Sequence, residues 1–188
     1  MNTPGDHDAV TRAALAAGLG DRVALADFVR ATQGDVRRFI SHLTSADADD
    51  LSQETYLRAI DALPRFEGRS SARTWLLTIA RRVVADQVRH EMARPQVVRP
   101  DSFFERPLAA DDFALVEARQ LMTRMDDERR EAFVLTQLLG FSYAEAADVC
   151  EVPVGTIRSR VSRARADLVA LWGTEADARE EYRARGTG

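Results

Sequence analysis

Four arginines recur at every second or third position in "PVGTIRSRVSRAR", residues 153–165, and no acid stands between Val152 and Asp167. A guanidinium offers donors in a planar fork that matches a guanine edge or a phosphate, and a serine hydroxyl can serve either. On a helix, Gly155, Arg158, Ser159, Ser162 and Arg163 share one face. Ile157, Val161, Ala164 and Leu168 gather within about 60° of one another on the opposite face. The apolar face must be buried, which turns the polar one outward as a surface fit for a DNA major groove. Gly155 permits close backbone approach beside Thr156 at the helix start, while Arg160 and Arg165 lie on the flanks and suit phosphates. A merely solvated face is the plainer alternative, but such faces normally mix signs for pairing.

A second basic stretch lies at residues 65–99, with eight Arg against three acids. A helix from about Thr74 to His90 would bury Leu76, Leu77, Ala80, Val83 and Val84 and leave Thr78, Arg81, Arg82, Ala85 and Arg89 opposite. That face is nearly all positive. The loop Phe66 to Arg73 in front of it contributes Arg69, Ser70, Arg73 and glycine backbone. A cationic groove beside a pocket for an unstacked base is how single-stranded DNA is held. Trp75 could stack on a base, but an aromatic at a helix start more often faces the core. A third cluster, "DADDLSQE", sets Asp47, Asp49, Asp50 and Glu54 at and just inside a helix start, where the helix dipole favours anions. Capping alone accounts for one or two of these acids.

The elements that position these groups are helical. Apolar residues recur at helical spacing and no strand-like alternation is sustained. "VALADFVRATQGDVRRFISHL" gives Leu25, Phe28, Val29, Val36, Phe39, Ile40 and Leu43 as one stripe, and the next helix gives Leu51, Tyr56 or Thr55, Ile60 and Leu63 before Pro64. Three of the six prolines fall within "RPQVVRPDSFFERP", residues 94–107, and at that density they exclude a helix. The expected fold is all-α: two small helical domains joined by this Pro-rich linker, the second ending in a helix-turn-helix. Ser142 and Glu145 form a capping box for the first helix of that motif, and Pro153 stands near the first position of the second. The expected division is an N-terminal extension at 1–19, a first domain at 20–91, a linker at 92–111, a second domain at 112–172 and a charged tail at 173–188, with few core contacts across the linker.

Composition narrows the function. The 188 residues carry a net charge of −4, with every basic residue an Arg, so the basic stretches are islands in an acidic body. Proteins that coat nucleic acid carry a positive surplus over most of their surface, and this one does not. The lone Cys150 excludes an intramolecular disulfide, and His7, His42 and His90 have no metal-ligand spacing. No Gly-rich phosphate loop or paired nucleophile and base is present, so neither an enzyme nor a cofactor is expected. Without a signal peptide or a long apolar run, the expected location is cytoplasmic and away from membranes.

Taken together, "RREAFVLTQLLGFSYAEAADVC" and "VPVGTIRSRVSRARADL" resemble region 4 of the extracytoplasmic-function (ECF) sigma factors, the promoter-specificity subunits of bacterial RNA polymerase. "DADDLSQETYLRAI" is similar to their region 2.2, and "RFEGRSSARTWLLTIARRVVADQVRH" to regions 2.3 and 2.4. The motifs follow the family's order over about residues 20–172. The resemblance implies three surfaces. Asp50, Gln53 and Glu54 would dock on the clamp of the largest subunit of core RNA polymerase, with the flap region a further contact. Arg69, Ser70, Arg73, Thr78, Arg81, Arg82 and Arg89 would hold the single-stranded minus-ten element. Gly155, Thr156, Arg158, Ser159, Ser162 and Arg163 would read the double-stranded minus-35 element. Arg82 stands where many members carry Asn, and Met125-Asp126 replaces the usual Leu-Pro. An anti-sigma factor is a further partner the resemblance leaves open. A stand-alone helix-turn-helix regulator would need a receiver or ligand domain in front, and residues 20–94 carry no alternating strands.

Overall fold

The structure, a computed structural model, describes residues 4–93 and 122–185, with side chains described for 9–93 and 122–172. Its helices are α1 (Pro4–Gly18), α2 (Arg22–Leu43), α3 (Ala48–Ala62), α4 (Ala72–Ala93), α5 (Asp127–Phe133), α6 (Tyr143–Cys150) and α7 (Val154–Arg185). A 3-10 turn, Leu63–Arg65, follows α3, and a π-helical turn, Val134–Leu138, follows α5. The Pro-rich segment lies outside the described residues.

Short polar side chains start these helices by taking the first orphan N–H groups. Asp21 Oδ1 accepts from Val23 and Ala24 at 2.8 and 3.1 Å. Asp47 Oδ1 does the same for Asp49 and Asp50, and Asp126 for Glu128 and Arg129. Pro64 stands two residues past the end of α3, and the chain leaves through the 3-10 turn.

In the first half, Phe28, Val36, Phe39 and Ile40 of α2 are fully buried, as are Leu76, Leu77, Ala80 and Val83 of α4 within 2%. α3 closes this layer through Leu51, Thr55 and Ala59, and Thr32 Oγ1 meets the Tyr56 hydroxyl at 2.8 Å. Burial pushes that phenol up to about 12. Ile60, expected in the core, is 41% exposed, and Ala59 occupies the inner position. The inner face runs through Leu51, Thr55 and Ala59, an i, i+4, i+8 row that the bulk of Ile60 disguised in the sequence. α1 is a second departure: it forms a helix within the supposed extension and buries Val10 and Ala14.

In the second half, Leu135, Val149, Ile157, Val161 and Ala164 form the centre, all at most 1% exposed. The apolar cluster is continuous through both halves. Contacts expected to be few across the linker are therefore substantial: α4 packs against α6, and α2 against α5. Arg130 reaches the Leu43 carbonyl at 3.3 Å, and Arg73 the Leu139 carbonyl at 3.4 Å. The charged tail continues α7 as helical backbone to Arg185.

Candidate nucleic-acid interface

The helix-turn-helix is assembled from local bonds. Ser142 N–H donates to Glu145 Oε2 at 2.9 Å, and Glu145 N–H donates to Ser142 Oγ at 3.2 Å, closing the expected capping box. Glu151 ends α6 with φ of 57°, and the Val152 N–H returns to the Ala147 carbonyl at 3.1 Å. Pro153 stands just before α7, its carbonyl accepting from Thr156 at 2.9 Å. Ile157, Val161 and Ala164 are buried, which leaves Gly155, Arg158, Ser159, Ser162 and Arg163 exposed on one face and Thr156 half-buried at its edge. Ser159 donates to the Thr156 carbonyl at 2.9 Å and keeps its lone pairs outward. Arg160 is a correction. Expected on the phosphate-facing flank, its side chain is only 14% exposed and its guanidinium is paired with Glu128. Arg165 bonds Gln137 Oε1 at 2.7 Å at an exposed position.

The α4 surface is more committed than its sequence suggested. Arg81 Nε donates to Glu131 Oε1 and Arg82 Nη2 to Glu151 Oε1, each at 2.6 Å, so acids of the second half occupy two arginines of the first. Glu131 is 7% exposed, and its burial raises the carboxyl above the usual range, an effect the Arg81 charge offsets only in part. The neighbouring Cys150 thiol is pushed up to about 12 by burial and by Glu131. Glu151 is shifted the other way, downward, by its hydrogen bond from Arg82. Thr78 is half-buried and donates to the Thr74 carbonyl at 2.9 Å, while Arg89 is exposed and paired with Asp86.

Arg73 departs furthest from expectation. It is 3% exposed, donates through Nε to Asp35 at 2.8 Å, and lies 4.6 Å from the centroid of the Phe141 ring. A guanidinium with a carboxylate and an aromatic face already in place holds elements together and presents nothing to a strand in this arrangement. Arg69 and Ser70 remain on the loop, Arg69 exposed beside Glu67 and Ser70 half-buried. Trp75 packs on Phe66 with ring centroids 4.8 Å apart, in agreement with a core role.

On α3, the acids divide. Asp47 caps the helix, Asp49 pairs with Arg37 at 2.6 Å, and Glu54 pairs with Arg58, which also reaches Asp86 at 2.7 Å. Asp50 and Gln53 are exposed, with no side-chain bond among the described residues. Beside them a shallow groove between α3 and α4 is lined by Leu51, Glu54, Arg58, Val83, Gln87 and His90. The acids Glu131 and Glu151 were missed in the sequence. Their only signal was charge complementary to the α4 arginines, which gives no pairing partner.

Residues 28–94 match the family model "Sigma-70 region 2", and residues 115–168 match "Sigma-70, region 4". The ECF RNA polymerase sigma factor SigC of Mycobacterium tuberculosis is 53% identical over 173 residues, covering 89% of this chain and 94% of that protein. The chain belongs to the ECF RNA polymerase sigma factor family. A second relative of this ECF sigma factor, EcfG of Rhodopseudomonas palustris, is 36% identical over 79% of the chain and 84% of its own length. Two solved structures share the arrangement with a TM-score of 0.71. One is CnrH in complex with the cytosolic domain of CnrY, 27% identical over 88% of this chain and 98% of the solved one. The other is the sigma factor RpoE in complex with the anti-sigma factor NepR from Bartonella quintana, 31% identical over 79% and 96%. As an ECF sigma factor, the chain is a non-catalytic subunit of the polymerase holoenzyme that binds polymerase and promoter DNA and directs transcription initiation. No described helix is long and apolar enough to cross a membrane.

Proposed function

We propose a division of labour among three surfaces of this sigma factor. The exposed face of α7, with Gly155, Thr156, Arg158, Ser159, Ser162 and Arg163, reads the double-stranded minus-35 element. The α4 arginines Arg81, Arg82 and Arg89, with Thr78 and with Arg69 and Ser70 of the loop, hold the non-template strand of the minus-ten element. Asp50, Gln53 and Glu54 dock on the clamp of the largest polymerase subunit, with the flap as a contact for the second domain. Residues 20–91 and 112–172 act as the two binding units, 92–111 as their tether, and the cytoplasm as their location.

The observation that carries this reading is the α7 face. Its guanidinium groups at 158 and 163 stand exposed beside two serines, above an apolar face that fixes their direction. Each bidentate contact to a base edge discriminates by about 1–3 kcal/mol. Arg81 and Arg82 are held by Glu131 and Glu151 here, so strand capture requires the second domain to move off α4. The two solved relatives were found with CnrY and NepR, which supports an anti-sigma protein as a further partner of this chain.

A reconstitution with core RNA polymerase tests the reading. The chain is expected to co-elute with core and to confer initiation from a promoter carrying both elements. Initiation that ignores substitution of the upstream element would overturn the α7 assignment, and failure to bind core would overturn the α3 assignment.

A further inference from the structure

α1 lies wholly in front of the region 2 match, which begins at residue 28, yet it is built into the same body. It touches the chain at three points around the loop that leads into α4. At the loop's near end, a Cβ on Gly18 would sit 2.5 Å from the Leu63 carbonyl oxygen, so the end of α1 approaches the 3-10 turn this closely only because it has no side chain. In the middle, Gly68 takes a left-handed φ of 70°, and a Cβ there would lie 3.4 Å from Leu15 Cδ1. At the far end, Thr11 Oγ1 accepts the Ala72 N–H at 3.1 Å, across 61 residues of sequence. That N–H is one of the orphan donors at the start of α4, and Ser71 Oγ takes another from Thr74 at 3.1 Å.

We propose that α1 is a positioning element for minus-ten recognition: Thr11 and Leu15 fix the shape of the Phe66–Ser71 loop before DNA arrives. This rests on the reading of that loop as part of the strand-binding surface. Glu67 and Arg69 are exposed and gain little order from their own contacts. A loop left to sample many shapes would lose that freedom on binding a base, and the loss would weaken binding and blur selectivity. The clamp from α1 supplies the order beforehand. Thr11 and Leu15 do not face the DNA themselves; they act through Ala72 and Gly68.

The test uses holoenzyme assembled from core polymerase and full-length chain, carrying Thr11→Val, Leu15→Ala or the conservative Thr11→Ser. The probes are a fluorescent single-stranded oligonucleotide with the minus-ten sequence and a promoter set with single-base changes in each element. Thr11→Val and Leu15→Ala are expected to weaken oligonucleotide binding by roughly tenfold and to flatten selectivity within the minus-ten element. Minus-35 selectivity and core affinity should be unchanged, and Thr11→Ser should restore the wild-type pattern. Arg69→Ala and Ser70→Ala separate the two ways of failing. If the loop variants alter minus-ten selectivity and the α1 variants do not, the positioning role is wrong. If neither set alters it, the reading of the loop falls and takes the proposal with it. Equal losses at both elements and in core affinity would assign Thr11 and Leu15 to general stability and overturn the proposal too.

Discussion

Among the described residues no ion pair or hydrogen bond engages the Arg158 guanidinium. Arg158→Ala is expected to cost about 1–3 kcal/mol at one base pair of the upstream element and to relax selectivity there, measured by binding to a set of single-base variants. Arg165→Ala should weaken all promoters alike, because its exposed position suits a phosphate. Unchanged discrimination by Arg158→Ala would show that another residue reads the groove. Gln53 and Glu54 separate docking from folding in the same way. Gln53→Ala should leave the melting temperature close to wild type, since exposed substitutions usually stay within roughly 0.5 kcal/mol, whereas Glu54→Arg also turns the Glu54–Arg58 pair into a like-charge contact and should lower it modestly. Core affinity, read by competition, should fall steeply for the charge reversal. The outward placement of Arg158, Ser159, Ser162 and Arg163 was legible because a helix repeats every 3.6 residues, and a face with one sign of charge opposite an apolar face can be assigned by counting. Arg73 and Arg160 were not legible. What each guanidinium does is decided by a carboxylate 38 or 32 positions away, Asp35 or Glu128, and spacing within one helix carries no record of it.

At the scale of elements, α6 and α7 were readable because caps are local: Ser142 and Glu145 lie three residues apart and satisfy each other's backbone. α1 was hidden for the opposite reason. Its small buried residues, such as Ala14, draw their burial from α2 and α4, so nothing within its own sequence announces a packed face. The end of α6 gives a chemical test of how tightly the two halves join. Cys150 is 2% exposed and its thiol is raised to about 12, so almost no thiolate is present near neutral pH and the reactive form cannot reach solvent. Alkylation by iodoacetamide at pH 8 is expected to be negligible in the folded chain and rapid in denaturant. Quick labelling of the native protein would mean that the α4–α6 contact opens readily.

For the whole molecule, Glu131 and Glu151 of the second half engage Arg81 and Arg82 of the proposed strand-binding surface, while the exposed face of α7 proposed to read duplex stays outward. Arg81–Glu131 is largely buried, while Arg82–Glu151 is exposed and is worth at most about 1 kcal/mol. Glu151→Arg places like charges together and should loosen the contact between the two halves. Its expected signature is a several-fold rise in affinity of the free chain for a minus-ten single strand, with binding to upstream duplex unchanged. A strand affinity equal to wild type would show that the contact does not mask α4. The pH sense follows from the depressed Glu151 carboxyl: its contribution to the closed form is present above the ordinary carboxylate range and is lost as pH falls through the depressed value. The two helical domains were legible, whereas their closure was not, because mutual docking depends on single charges spread over helices far apart in sequence.

Glu151 also holds a left-handed backbone, with φ of 57°, where glycine would rest without strain. Glu151→Gly should therefore raise the melting temperature by whatever part of about 1 kcal/mol of relieved strain the loss of the Arg82 pair does not cancel, while deleting the carboxylate that restrains Arg82. Selection for heat resistance alone would therefore favour glycine here, and, if α4 holds the minus-ten strand as proposed, that variant is expected to initiate more readily. A melting curve and a transcription assay on that single variant are expected to move upward together.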